Sequence, residues 1–346
     1  MAQAAHAISR TWRRLIGYCE RIYLFIRIST LGFTLLLPLL GSASGQHALT
    51  NGTTLLMISV GLAFHIFAYV LNDVVDLRLD RTEPLRADSP LVQGKFTRRQ
   101  ALWLALSQPP LAFAIAYLAG VTLVALYMLG AAFLSLAAYN LYGKRCSLPP
   151  LTDFVQAIGW CALVLFGAFA YAPTAHADTT WLITYVFVYV LLINGIHGGV
   201  RDLANDLEHQ ARTTAIWLGA RPTHSSGAKL TVWLTAYGFV LQSAMVTFAV
   251  MGLDSLNYVQ PDYWLAAVPV YAGLTASTLM LLGLLVLLRD RRKLVAMGAS
   301  HTFVSLAVLP ALYLPMLGPT AAATVLAVFC LPAIAMYLYN GSHWCL

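Results

Sequence analysis

The chain has 346 residues, of which 59% are hydrophobic and only 10% charged, with a mean hydropathy of +0.72; soluble domains carry about 25% charged residues, so a soluble globular protein is excluded. The 21 Lys and Arg exceed the 14 Asp and Glu, for a formal net charge of +7. On a soluble protein that excess would point to nucleic acid, but on so apolar a chain it has first to be tested against membrane topology.

A helix spans the hydrocarbon core with about 20 predominantly apolar residues. Stretches of that kind fall at 22–44, 53–74, 101–119, 121–141, 151–172, 180–200, 230–251, 263–288, 294–316 and 320–340. Only Leu317, Gly318, Pro319 and Thr320 part the last two, so an all-α integral membrane protein with a nine- or ten-helix bundle is expected. The first stretch is too long for a cleaved signal and contains Arg27, so it is read as a retained helix although Ser42, Ala43 and Ser44 mimic a cleavage site. Residues 1–21 are expected to form an N-terminal segment, 22–340 a single transmembrane domain and 341–346 a short tail.

Charge orients the bundle. The N-terminal segment and first helix hold Arg10, Arg13, Arg14, Arg21 and Arg27. The second loop holds Arg78, Arg81, Arg86, Lys95, Arg98 and Arg99, and the fourth holds Lys144 and Arg145. Arg201, Arg212, Arg221 and Lys229 lie in the sixth, and Arg289, Arg291, Arg292 and Lys293 in the eighth. The alternate loops at 45–52, 173–179, 252–262 and 317–320 have no Lys or Arg but carry Asp178, Asp254 and Asp262. Positive loops face the cytoplasm, so the N-terminus and the even-numbered loops are expected there. The basic excess thus reports topology and calls for no nucleic acid. The five cysteines (Cys19, Cys146, Cys161, Cys330 and Cys345) are scattered without a C-x-x-C pair and read as packing residues.

Two acidic motifs open cytoplasmic loops. Asn72, Asp73, Asp76 and Asp80 follow the second span, and Arg201, Asp202, Asn205 and Asp206 follow the sixth. Asp76 and Asp206 lie 130 residues and four spans apart, an even number that preserves orientation and suggests parallel halves. Spacings of i, i+3 and i+7 put Asp73, Asp76 and Asp80 on one face if the second helix continues past the membrane, and Asp202 and Asp206 share a face at i, i+4. Like charges so placed repel, so positive charge is expected between them. Hard cations such as Mg²⁺ take oxygen ligands and bridge carboxylates to substrate phosphates. Arg78, Arg81, Arg86, Lys95, Lys144, Arg145, Arg201 and Arg212 in the same loops suit the phosphate half of such a complex, although each alone also fits ordinary loop charge.

At these residues the chain resembles the UbiA superfamily of intramembrane prenyltransferases. Its N-D-x-x-D-x-x-x-D motif matches Asn72, Asp73, Asp76 and Asp80, followed by Pro90, Leu91 and Gly94. The second motif resembles the R-D-x-x-N-D form at Arg201, Asp202, Asn205 and Asp206, with a matching tail at Arg212–Ala215, Leu218 and Gly219. Tyr139 to Arg145 resembles the family's Tyr-containing loop ending in Lys-Arg. The chain departs from the family at Ser89, where Arg is usual, at Gln210, where Gly is common, and in a Tyr–Lys spacing one residue longer.

The resemblance implies a bundle around a central cavity capped by the acidic loops. It implies Mg²⁺ on Asn72, Asp73, Asp76, Asp80, Asp202 and Asp206, with Asp73, Asp76, Asp202 and Asp206 carrying catalysis. An isoprenyl diphosphate would be held by Asn72, Lys144, Arg145, Arg81, Arg212, Arg201, Arg27 and Tyr139. The prenyl group would pass to an aromatic or lipophilic acceptor, or be cyclised without one as in UbiA-type terpene cyclases. An ion-coupled transporter would instead place its acids mid-membrane.

Other residues have two readings. Phe64, Phe67 and Tyr69 can face an allyl cation or simply pack. Arg27 reaches phosphate or snorkels. His65 and His197 are intramembrane polar groups, and His197 either serves an acceptor or joins helices. Pro109 and Pro110 should kink the third helix. Asn140, Asp153 and Gln156 lie where an acceptor headgroup could meet them.

Overall fold

A computed structural model of the chain describes residues 21–338 apart from 175, 224–226, 258–263 and 288–289. Residues 1–20 and 339–346, with Cys19, Cys345 and three of the N-terminal arginines, lie outside the described residues, as do Asp262 and Arg289. After a helical stretch at 21–25, the helices are α1 (Ile28–Ser44), α2 (Asn51–Asp80), α3 (Arg98–Leu118), α4 (Leu123–Tyr142) and α5 (Pro149–Ala168). α6 (Ala177–Leu192) continues through a π-helical stretch, Ile193–Gly198, and a last turn, Gly199–Arg201. Two short helices follow, α7 (Leu203–Glu208) and α8 (Thr214–Trp217). The remaining helices are α9 (Val232–Ser255), α10 (Trp264–Leu282), α11 (Arg291–Tyr313) and α12 (Pro319–Leu338).

Eight of these stretches are long and apolar enough to cross a membrane, and α1 and part of α12 are shorter apolar helices at the first and last expected spans. The protein is a multi-pass helical membrane protein. Threonines start several helices where the sequence turns apolar. The Thr50 and Thr122 side chains accept from the third residue onward, and Thr97 with Gln100 makes a capping box. α3 runs on through Pro109 and Pro110.

The first expected span differs. The helix is interrupted at Arg27, whose φ of 49° is left-handed, because leaving the helix there turns its side chain towards α2. Between α7 and α9, β1 (Arg221–Pro222) pairs antiparallel with β2 (Ala228–Lys229), and Gly227 bridges to Asp290 before α11. These pieces carry no hydropathy signal. Cys146, Cys161 and Cys330 are free thiols.

With lipid on the outside, close packing rather than water exclusion holds such helices together. α1 meets α5 backbone to backbone: a Cβ on Gly41 would overlap the Val164 carbonyl oxygen, and one on Gly167 the Pro38 carbonyl oxygen. Gly167→Ala should therefore lower stability by about 1–3 kcal/mol, read as a lower melting temperature in detergent. Gly130→Ala, whose added Cβ would meet Phe113 at 3.6 Å, should leave the melting temperature unchanged.

Candidate active site

α2 has 30 residues, about 45 Å of helix against a hydrocarbon core of about 30 Å. Its final turns can therefore extend beyond the apolar core and carry the first acidic motif. The second motif spans the end of the α6 extension and α7. Asn205 docks one motif on the other: its Nδ2 donates to the Leu79 carbonyl at 3.3 Å, and its Oδ1 accepts from the Thr82 hydroxyl at 2.9 Å.

Basic side chains occupy the carboxylates. Lys144, in the turn between α4 and α5, places its Nζ 3.2 Å from Asp206 Oδ1 and 3.5 Å from Asp76 Oδ2, joining the two motifs. Arg27 pairs with Asp73, donates to Asn72 Oδ1 at 3.3 Å and lies 5.4 Å from the centroid of the Tyr69 ring. Arg201 binds Asp202 through two 2.8 Å hydrogen bonds, and Arg86 Nε lies 3.9 Å from Asp80. Asn72 Nδ2 donates at 3.4 Å to both Asp76 and Asn140.

Burial opposes the charge on Lys144, yet Asp76, Asp206 and Asp202 hold its ammonium above the ordinary lysine value. Burial also lifts the Asp206 carboxyl above the ordinary carboxylate range despite the contact with Lys144, with Asp202 and Asp76 pushing the same way. Burial acts likewise on Asp202, but Arg201 outweighs it and holds that carboxyl below its usual range.

The motifs stand at one end of a cavity of about 610 Å³. Asn72, Asp76, Asp80, Asp202 and Asp206 line it together with Arg27, Tyr139, Lys144, Arg201 and Arg212. Asp73 is buried behind Arg27 and does not line it. Arg81 and Arg145, expected beside them, are exposed and are not part of the wall. Arg86 does line it. Apolar walls come from residues to which no motif pointed. Phe33, Trp160 and Tyr189 form an aromatic group, with Phe33 at 4.9 Å from Trp160 and 5.5 Å from Tyr189 between ring centroids. Tyr69 is 6.2 Å from Trp160 and lines the same cavity. Phe64 and Phe67 are instead buried against Phe133.

The two intramembrane histidines separate. His65 is fully buried between Thr34 and the Ile26 carbonyl, joining α2 to the start of α1. His197 lies on the cavity wall and contacts His301 of α11 at 2.9 Å, and His301 in turn contacts Gln242 of α9 at 3.2 Å. It joins helices, as one of its two readings expected.

Among the described residues no three acidic, His or Cys side chains converge as a ready-made metal site. The donor chemistry nevertheless fits Mg²⁺: the groups are carboxylates and an amide, all oxygen donors, and the Lys144 ammonium already stands as a cation shared by both motifs.

Apolar helices around a lipophilic cavity, with paired acidic motifs and basic side chains at one end, define an intramembrane protein suited to a ligand with an anionic head and an apolar tail. The chain belongs to the UbiA prenyltransferase family, whose sequence profile matches residues 30–292. Digeranylgeranylglyceryl phosphate synthase of Thermococcus gammatolerans is 31% identical over 195 residues, 54% of this chain and 64% of that one, so the match spans just under two thirds of that relative. 4-Hydroxybenzoate octaprenyltransferase of Pseudoalteromonas translucida is 23% identical over 257 residues, 72% of this chain and 76% of that one. A UbiA homolog from Archaeoglobus fulgidus, solved bound to GPP and Mg²⁺, has a TM-score of 0.57 at 15% identity, covering 84% of this chain and 99% of that one. That last likeness is one of fold.

Asn205→Ala should weaken the docking between motifs by about 1–2 kcal/mol. Amide hydrogen exchange at residues 79–82 should quicken while exchange in α9 stays unchanged.

Proposed function

We propose that the protein is an Mg²⁺-dependent prenyltransferase that ionises an isoprenyl diphosphate within the membrane, passes the prenyl group to an aromatic or other lipophilic acceptor and releases pyrophosphate. The observation that carries this reading is the Lys144 bridge between Asp76 and Asp206 at the charged end of a mostly apolar cavity. The prenyl-transferring relatives and the GPP- and Mg²⁺-bound homolog support the donor class.

In this reading Asp76 and Asp206, with Asn72, Asp80 and Asp202, supply oxygen donors for the metal, and Asp73 joins them only once Arg27 turns to a phosphate. Mg²⁺, when bound, neutralises diphosphate charge and stabilises the departing pyrophosphate. Lys144, Arg201, Arg27 and Arg86 exchange a carboxylate partner for a phosphate oxygen, Arg212 on the same wall adds its charge, and such preorganised positive charge favours C–O cleavage. Tyr139 borders the diphosphate. Tyr69, Trp160, Phe33 and Tyr189 present ring faces to the allylic carbons, where cation–π attraction acts as charge develops. Keeping water from that carbon prevents simple hydrolysis. In this reading the N-terminus and the acidic loops face the cytoplasm, an orientation that the lysine and arginine distribution supports.

A cyclase would share the donor site. Buried polar atoms of Gln156, Asn194 and Thr213 on the cavity wall have no partner. A wall that only folds a hydrocarbon needs no such groups, and this favours an acceptor.

Asp76→Asn and Asp206→Asn should each lower pyrophosphate release by about 100- to 1,000-fold in purified protein supplied with geranylgeranyl diphosphate, acceptor and Mg²⁺. EDTA should abolish release and added Mg²⁺ restore it. Arg81→Ala and Arg145→Ala, exposed and screened, should stay within about threefold of the parent. Full activity in either aspartate variant would overturn the proposal.

A further inference from the structure

Five aspartates line the cavity, and four of them have basic partners: Asp76 and Asp206 share Lys144, Asp80 has Arg86, and Asp202 has Arg201. The fifth, Asp153 on α5, makes no ion pair among the described residues. It is 7% exposed, and its Oδ2 accepts a hydrogen bond from the Thr214 hydroxyl. Oδ1 is not among the buried unpartnered atoms and has no protein partner, so it faces the cavity. An ionised group so deep needs hydrogen bonding to offset its desolvation, and one hydroxyl leaves half of that carboxylate unmet.

The surroundings have matching vacancies. Gln156 lies one turn along the same face of α5, and its buried Oε1 has no partner. Thr213, beside Thr214, has an unpartnered hydroxyl, and Asn194 an unpartnered Nδ2. The π-helical stretch carrying Asn194 is brought against α8 by glycines: a Cβ on Gly195 would lie 3.4 Å from Thr214 Cγ2, and one on Gly199 2.7 Å from the Ala215 Cβ. Three elements thus converge on one polar corner of a mostly apolar cavity. Buried polar atoms are nearly always satisfied in native proteins, and these three, covered in this structure, add unmet hydrogen-bonding capacity beside the open Asp153 Oδ1.

We infer that this corner receives the acceptor's hydroxyl and that Asp153 takes its proton. The inference rests on the prenyl-transfer reading above. A carboxylate beside an amide oxygen accepts from a donor, and the donor that a phenol or alcohol acceptor brings is its O–H. An acceptor's carboxylate or phosphate would lie instead towards the arginines and Lys144. In the step, the hydroxyl proton passes to Asp153 Oδ1 while the acceptor forms its bond to the prenyl C1. The bonding atom is the oxygen of an alcohol, or the ring carbon that a phenol oxygen makes electron-rich; in the latter case the ring C–H proton then leaves to pyrophosphate and Asp153 returns its proton to the oxygen, restoring the aromatic phenol. The C1–O bond to the diphosphate breaks, and its electron pair leaves on pyrophosphate. Thr214 is a positioning residue that holds the carboxylate by its other oxygen.

The test uses the full chain in lipid nanodiscs with Mg²⁺ and geranylgeranyl diphosphate. Acceptors are offered in two arms, a phenol series and a glycerol phosphate series, each fluorinated stepwise to raise hydroxyl acidity. Asp153→Asn keeps the shape and can still accept from Thr214. It should bind a thiolodiphosphate analogue of the donor within about twofold of the parent yet transfer about 100-fold more slowly to the least acidic acceptor. That deficit should shrink as acceptor acidity rises, which a merely structural defect would not produce. The arm that turns over in the parent identifies phenol or alcohol. Transfer by Asp153→Asn within threefold of the parent, or a deficit constant across the series, would overturn the inference while leaving prenyl transfer intact. A parent that neither binds the analogue nor releases pyrophosphate would instead sink the prenyl-transfer reading, and this inference with it.

Discussion

The ammonium of Lys144 between Asp76 and Asp206 is the contact on which the site depends. Two carboxylates from motifs 130 residues apart, Asp206 buried and Asp76 half-buried, cannot approach each other without positive charge between them. Lys144 provides it from the turn between α4 and α5, and through it the end of α2, that turn and α7 meet at one point. The same chemistry makes the contact exchangeable, because a cation shared by two carboxylates can give way to a metal that also ligates phosphate. Arg27 on Asp73 and Arg201 on Asp202 repeat the pattern. Each aspartate of the two motifs is thus in contact with a basic side chain able to turn to a diphosphate, Asp76 and Asp206 sharing one and Asp80 meeting Arg86 at 3.9 Å.

The rest of the bundle serves that charged end by keeping its other parts apolar. Glycines at 41 and 167 let α1 and α5 touch along their backbones. That approach carries Phe33 of α1 up to Trp160 of α5 and Tyr189 of α6, and the cavity gains its aromatic wall. Polar groups deep in the bundle are costly and are mostly spoken for: His65 is satisfied on both ring nitrogens, and Gln242 bonds Ser277 and Thr278. Exceptions occur at Arg27 Nε, Ser42 Oγ and His197 Nδ1, but those on Gln156, Asn194 and Thr213 fall together beside the unpaired Asp153, and that coincidence marks the corner as a binding place.

Much of this was legible from residue order alone. Apolar runs of helix length placed the spans within a few residues, because a bilayer leaves the backbone few alternatives. The i, i+3 and i+7 aspartates put the first motif on one helix, and α2 does run through all three. What could not be read depends on neighbours distant in sequence. Nothing local marks Arg27 as the point where the first span breaks, and its partner Asp73 lies on the next helix. Arg81 and Arg145 sit beside motif residues, yet adjacency in a loop does not set side-chain direction, and both turn away from the cavity. Phe33, Trp160 and Tyr189 look like any other membrane aromatics until helix packing brings them together. Asp153 stood out only as a polar residue near a helix end, and its lack of a basic partner is a property of the assembled site.

The central claim is that basic side chains of the chain hold the carboxylates until a diphosphate releases them. Electron paramagnetic resonance of Mn²⁺, used in place of Mg²⁺, tests it most directly. The account predicts weak Mn²⁺ binding to the protein alone, tight binding once a non-reactive isoprenyl thiolodiphosphate is added, and stronger ligand-free binding in Lys144→Met. Tight stoichiometric Mn²⁺ binding by the parent protein without any diphosphate, unchanged in Lys144→Met, would contradict it.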